Sequence, residues 1–232
     1  MRNLRITRPE LPEGLVALPV RTQLVRPGDN LVEIVSHAIC GIARCGDVVA
    51  ISETAVAIAQ GQAVPAELVR PSRLAYFLSR RAGALATVNQ PESLQVVIDR
   101  VGISKVLFAC VMHVAGLFFG RRGMFYEVMG EAITAIDGYT GTLPPFERTI
   151  VFAPLRPDQF AQEMADATGV ACAIVDANDL EKAKVLGASH GVNRENVQCA
   201  LLSNPHGNSD EQTPIVVLKW RAFGAHPFLA CA

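Results

Sequence analysis

The sequence is short of aromatic residues and of net charge. Its 232 residues include 1 Trp, 3 Tyr and 10 Phe, and the formal net charge is −1. Proteins that hold single-stranded nucleic acid stack bases on aromatic rings, and general nucleic-acid binders present a basic surface. Neither feature is present, so no nucleic-acid partner is expected. The chain is 50% hydrophobic and 19% charged, a balance that excludes intrinsic disorder. A near-zero average still leaves room for an anion site where charges cluster locally.

Other absences narrow the chemistry. The cysteines at 40, 45, 110, 172, 199 and 231 form no CxxC pair, and the opening residues MRNLRITRPELPEG hold no apolar signal core. Reduced, mostly buried thiols and a cytoplasmic location follow as expectations. The longest apolar run, VLFACVMHVAGLFF at 106–119, is too short for a bilayer and has His113 inside it. It reads as a buried core segment, and no membrane partner is expected. GxxxxGK[ST], GxSxG and HExxH are all missing, so a phosphate loop, a serine triad and a zincin lack motif support.

What is present is a mixture of short strands and helices. Residues 15–25 alternate loosely, as a strand does, and Pro27-Gly28-Asp29-Asn30 is turn and cap chemistry. Leu31, Ile34, Val35, Ala38 and Ile42 share helical spacing. VVAIS at 48–52, residues 149–153, VACAIV at 170–175 and residues 215–220 read as buried strands. Residues 53–60 are either helical or extended. Further helices are expected near 73–82, 93–101 and 157–168, the last with Phe160, Met164 and Ala167 on one face and Gly169 as its stop. Without regular βα alternation, this order predicts an α+β fold with a mixed sheet. The length suits one unit over 1–232, with possible subdomains at 15–105 and 106–225.

Polar residues gather where apolar segments end. The strand at 170–175 delivers Asp176, Asn178 and Asp179 at its carboxyl end, where ligand sites of α/β proteins lie. Carboxylates and an amide oxygen are hard donors suited to Mg²⁺ or Mn²⁺. An Asx turn would use the same residues, and spacing alone leaves both readings open. Ser189 and His190 sit between two glycines and allow close approach to a ligand, or form an ordinary loop. The stretch 204–214 is a polar loop anchored by core at both ends. Arg121 and Arg122 are candidates for pairing with phosphate or carboxylate.

These blocks, in this order, resemble the coenzyme F(420):L-glutamate ligase family. Residues 18–31, LPVRTQLVRPGDNL, are similar to its amino-terminal entry, and Gly46 to Ser52 to its GDVLVV-S/T strand. Residues 57–61, AIAQG, take the place of its K-x-EG element. Ala173–Ala177 resembles its IITDT, residues 135–138 its NAGID, and 201–218 its terminal LL-MG…IP-VVV segment.

The resemblance implies an intertwined α+β homodimer, with two interlocked subdomains per chain. It also implies a GTP-dependent amide-bond ligase requiring Mg²⁺ or Mn²⁺. Such an enzyme activates a small-molecule carboxylate as an acyl phosphate, which an amine such as glutamate then attacks. By position, Asp137 and Asp176 would be metal ligands, with Asn178 or Asp179 assisting. Thr22, Gln23, Leu24, Val25, Glu53 and Thr54 would contact the nucleotide, as would Asn204, Gly207, Asn208, Asp210, Glu211 and Thr213. From the residues themselves rather than the resemblance, Arg121, Arg122, Ser189 and His190 are candidates for contact with substrate or phosphate. Ile58 stands where the family has lysine, Gln60 where it has glutamate and Ala177 where it has threonine. These departures motivate a second reading, a non-catalytic nucleotide- or ligand-binding module on the same scaffold. A third is a metal-dependent hydrolase built on Asp176 and His190.

Overall fold

The structure, a computed structural model, describes residues 15–82, 87–130, 133, 136–137, 146–178, 182–207 and 211–220. In chain order the elements are β1 (Leu15–Val20), α1 (Leu31–Ile39), β2 (Val48–Ser52), α2 (Glu53–Ala59), β3 (Ala63–Pro65), α3 (Arg73–Ser79), α4 (Pro91–Val101) and α5 (Ile103–Phe118). Then follow α6 (Met124–Met129), β4 (Ile136–Asp137), β5 (Thr149–Phe152), α7 (Pro157–Thr168), β6 (Ala171–Asn178), β7 (Lys182–Ala188), α8 (Arg194–Ala200) and β8 (Ile215–Trp220). They form two units: Met1–Gly61 with Pro154–Ala232, and Gln62–Ala153 inserted between those segments. The boundary expected at 105–106 falls inside α5.

The first unit is built on a five-stranded sheet of order β1-β8-β2-β6-β7. Only β2 and β6 run parallel; the other neighbours are antiparallel, so the sheet is mixed as expected. Val48–Ile51, Cys172–Val175 and Ile215–Leu218 are wholly buried, as strands covered on both faces must be. On one face Val48, Ala50, Ala173, Val175, Val216 and Leu218 join Val197 and Ala200 of α8, and Leu201 just after it, in a single core. α7 packs on β6 and β7, and Gly187 allows it to come close: a Cβ there would lie 2.2 Å from the carbonyl carbon of Pro157.

Local chemistry sets the element ends. Asn30 caps α1 by accepting from the Glu33 amide at 3.4 Å, while its own amide donates to the Glu33 carboxylate at 2.7 Å. α1 stops at Ile39, earlier than the periodicity suggests, because Gly41 turns left-handed (φ 71°). β1 stops at Val20, paired with Ile215, because Pro214 has no N–H to continue the ladder. Residues 53–60 resolve as a helix. Pro157 opens α7 and Gly169 (φ 68°) closes it; its buried side is Ala161 and Met164, while Ala167 faces out.

The second unit holds a three-stranded antiparallel sheet, β3-β5-β4, and helices α3 to α6. Leu94, Val97, Val106, Met129 and Ile150 lie in its core. Here the sequence expectation for 106–119 is overturned. The run forms most of α5, but only Val106, Ala109 and Gly116 are buried, and its remaining apolar side chains are largely exposed. No polar residue marks the outward face in the sequence, so periodicity could not reveal it. The thiol expectation is corrected as well: among the described residues only Cys172 is fully buried, while Cys40 and Cys45 are exposed. Both exposed thiols lie in the turn region after α1, where no layer covers them. Cys231 lies outside the described residues. Among those residues, no single helix is long and apolar enough to cross a membrane.

Candidate functional site

Strand register brings several polar segments to one end of the five-stranded sheet. β2 and β6 run parallel with Ser52 level with Val175, so α2 begins at Glu53 beside Asp176. β8 is antiparallel to β2 and β1, with Ile215 level with Ile51 and Val20. The chain after β1 and the loop before β8 therefore reach this same end. Two backbone bonds join them there. The Thr22 amide donates to the Gln212 carbonyl at 3.1 Å, and the Ser52 amide to that of Pro214 at 2.8 Å. The segments around Thr22, Glu53 and Thr213, far apart in sequence, become neighbours. Gln23 is exposed, Leu24, Glu53 and Thr54 are half-buried, and Val25 is buried.

The described parts of the loop before β8, 204–207 and 211–213, are tightly held. Asn204 and Gln212 adopt left-handed conformations (φ 46° and 52°), as does Gly207 (φ 73°). Gly207 lies under the Glu211 carboxylate; a Cβ there would stand 2.6 Å from its carbon. The Thr213 hydroxyl donates to the His206 carbonyl, and His206 Nδ1–H donates to the Thr213 carbonyl at 3.1 Å. That bond fixes the tautomer and leaves the lone pair on the buried Nε2 without a partner among the described residues. Burial pushes the His206 pKa down to about 4, so the ring is neutral near pH 7. Sequence reading placed this histidine in the polar loop without giving it a role.

Asp176 and Asn178, two residues apart on β6, share a face of the strand. Burial raises the Asp176 pKa above the usual carboxylate value, and the Lys184 ammonium opposes that rise. Lys184 sits opposite Asp176 on β7, and Lys182 opposite Asn178. Sequence reading missed both lysines. A register shift at Ile174/Val175 sets the pairing and leaves no mark in the sequence. The Lys-x-Lys alternation was the available signal, since alternate strand residues share a face.

At this strand end the hard oxygen donors of Asp176 and Asn178 stand opposite the ammonium groups of Lys184 and Lys182. No three His, Cys, Asp or Glu side chains cluster among the described residues. Mg²⁺ requires no such cage, since it is bound by one or two carboxylates together with phosphate oxygens and water. Asp176 and Asn178 fit that requirement.

Ser189 and His190 lie elsewhere in the first unit. Ser189 Oγ accepts from the Cys172 amide at 3.0 Å, and the exposed His190 donates its amide to Gln162 at 2.8 Å. Cys172 and Asp176 are four residues apart on β6, about 13 Å at the rise of a strand. Ser189 and His190 therefore stand at the opposite end of the sheet from Asp176, which removes the basis for an Asp176–His190 hydrolase. Asp137 lies in β4 of the second unit, opposite Val151. Arg121 and Arg122 belong to that unit too; both are exposed, and Arg121 pairs with Glu127 at 3.5 Å. Asp179, Asn208 and Asp210 lie outside the described residues.

The departures at 58 and 60 have structural consequences. Ile58 is buried in the core. Gln60 accepts from the Leu155 amide at 2.6 Å and donates to the Leu155 carbonyl at 3.2 Å, a pair of bonds that glutamate could not make. It lines a small cleft with Arg156, Gln159, Phe160 and Glu163.

No curated relative matches the chain. The family model for F420-0:gamma-glutamyl ligase matches residues 19–211, most of the length and both units. With a mixed sheet that gathers the family-like segments at one end, the chain belongs to the F420-0:gamma-glutamyl ligase family, a family of amide-bond ligases.

Proposed function

We propose that the protein is a nucleotide- and divalent-metal-dependent ligase acting at the Asp176 end of its five-stranded sheet. In the first step a carboxylate oxygen of the substrate attacks the γ-phosphorus of GTP, and GDP leaves. In the second the amino group of glutamate, or a similar amine, attacks the acyl-phosphate carbon. Inorganic phosphate leaves, and the amine proton passes to solvent. A bound Mg²⁺ or Mn²⁺ would supply charge compensation on the phosphates, held by Asp176 and Asn178. Lys184 and Lys182 add fixed positive charge on the neighbouring strand. The loop carrying Thr213 and the backbone at Thr22 form the nucleotide-facing wall.

One observation carries this reading. The Thr22–Gln212 and Ser52–Pro214 bonds unite all three segments expected to meet the nucleotide, at the strand end that bears Asp176. A ligand that binds only the native state raises its stability. Thermal unfolding with GTP and Mg²⁺ or Mn²⁺ is therefore expected to show a higher midpoint than with either alone. The proposal fails if no nucleoside triphosphate moves the midpoint with metal present.

Burial of Ile58 and the structural use of Gln60 favour one alternative, a ligand-binding module without turnover. It predicts binding that survives Asp176→Ala in a parent that forms no product. GTP turnover abolished by Asp176→Ala would exclude it.

A further inference from the structure

The reaction proposed above gives no task to His206. The residue is only 9% exposed, and its ring is held by the bond from Nδ1–H to the Thr213 carbonyl at 3.1 Å. Its Nε2 is buried with no hydrogen-bond partner among the described residues. With the proton on Nδ1, Nε2 carries a lone pair and can only accept. Burial keeps the ring neutral near pH 7, so the acceptor persists there. A buried acceptor left without a donor destabilises a fold, and native proteins keep few of them. The backbone on either side is strained as well. Asn204 (φ 46°) and Gln212 (φ 52°), neither of them glycine, occupy the left-handed region, and strain of this kind clusters at ligand-binding segments.

Strand order says which part of a nucleotide falls here. Asp176 and Lys184, at the proposed metal and phosphate end, belong to β6 and β7. His206 is tied to Thr213, just before β8. β2 stands between β8 and β6, so this loop lies two strand spacings, about 10 Å, across the sheet end from Asp176. An extended nucleoside triphosphate with its γ-phosphate at the metal carries its base at least that far away. The loop itself is unsuited to phosphate. Residues 204–214 contain no lysine or arginine, and they include Asp210 and Glu211.

We propose that Nε2 of His206 accepts a hydrogen bond from the ring N–H of the nucleotide's base, and so selects a 6-oxopurine over adenine. The assignment rests on the nucleotide reading above and adds to it the residue that reads the base. Guanine presents N1–H to this lone pair. Adenine presents an unprotonated ring nitrogen at the same position, which would leave two buried acceptors facing each other. A site that buries a polar group for a substrate N–H rejects an analogue lacking it far more strongly than an apolar pocket rejects a small change of shape.

Calorimetric titration with Mg²⁺ present tests the assignment on GTP, ATP and 1-methylguanosine triphosphate, in which a methyl group replaces the N1 hydrogen. Wild type should bind GTP about tenfold or more tightly than either of the others. His206→Asn keeps an amide N–H for the Thr213 carbonyl but has no acceptor at the Nε2 position. With wild-type circular dichroism, it should lose about tenfold or more for GTP and leave ATP affinity unchanged. His206→Gln, whose amide oxygen reaches the Nε2 position, should restore the preference for GTP. An unchanged GTP-to-ATP ratio in His206→Asn would overturn the proposal and leave Nε2 to a buried water. Equal losses for GTP and ATP would put the contact on the sugar they share, and would overturn it too. So would a wild type that binds 1-methylguanosine triphosphate as tightly as GTP. All three results leave the nucleotide reading standing. A wild type that binds no nucleoside triphosphate overturns that reading and this assignment together.

Discussion

His206 makes the protein's stability depend on pH in a direction the structure fixes. The ring is buried and neutral, its Nδ1–H committed to the Thr213 carbonyl. Its pKa falls from 6.5 in an exposed chain to about 4 in the fold. On acidification the unfolded chain takes up this proton first. The stabilisation is therefore complete above pH 6.5 and drains away as the pH falls toward 4. At ~1.4 kcal/mol per pH unit the full interval corresponds to ~3 kcal/mol. Most of it is gone by pH 4.5. That is a large share of the ~5–15 kcal/mol by which domains are stable.

The assay is urea unfolding at pH 7.5, 6.5, 5.5 and 4.5 on wild type and His206→Asn. Asparagine places an amide nitrogen near the Nδ1 position and cannot ionise. Carboxylate titration is common to both proteins and cancels in the comparison. Wild type should lose about 2–3 kcal/mol more than the variant between the two extremes. Parallel profiles would refute the buried, neutral histidine.

Three further outcomes follow from named contacts. Gly187→Ala forces a methyl group against the Pro157 backbone, so unfolding stability should drop by about 1–3 kcal/mol; an unchanged urea midpoint would contradict the close approach of α7. Lys184→Ala removes the ammonium that opposes the rise at Asp176, whose carboxyl should then titrate at higher pH by ¹³C NMR; an unmoved titration would separate the pair. Asn30→Ala deletes the cap of α1 and should cost about 1 kcal/mol in thermal or urea unfolding, against no change if the cap is idle.

How much of this could be read from sequence differs by element. β2, β6 and β8 were legible because strands buried on both faces are continuous runs of Val, Ile, Leu and Ala. α1 and α7 were legible from the helical spacing of their apolar residues, with Asn30 as a cap candidate and Gly169 as a stop. The outward face of α5 was not, since a side chain meant for a protein surface looks in sequence like one meant for the core. Asp176 was found because a strand visibly delivers it. Its neighbours Lys182 and Lys184 were not, because an irregular register decides which residues face each other. Ser189 and His190 are close to Asp176 in sequence, yet β7 carries them to the far end of the sheet. The joining of Thr22 to Gln212 is the reverse case: the family resemblance grouped those segments, and the sheet supplies the physical reason.

The central claim is that Asp176 anchors a metal–nucleotide site, and calorimetric titration of GTP tests it most directly. Wild type should bind saturably with Mg²⁺ or Mn²⁺ present and at least tenfold more weakly without metal. Asp176→Asn should lose at least tenfold in the presence of metal, equivalent to ~1.4 kcal/mol. Equal affinity with and without metal, or an undiminished Asp176→Asn variant, would contradict the account.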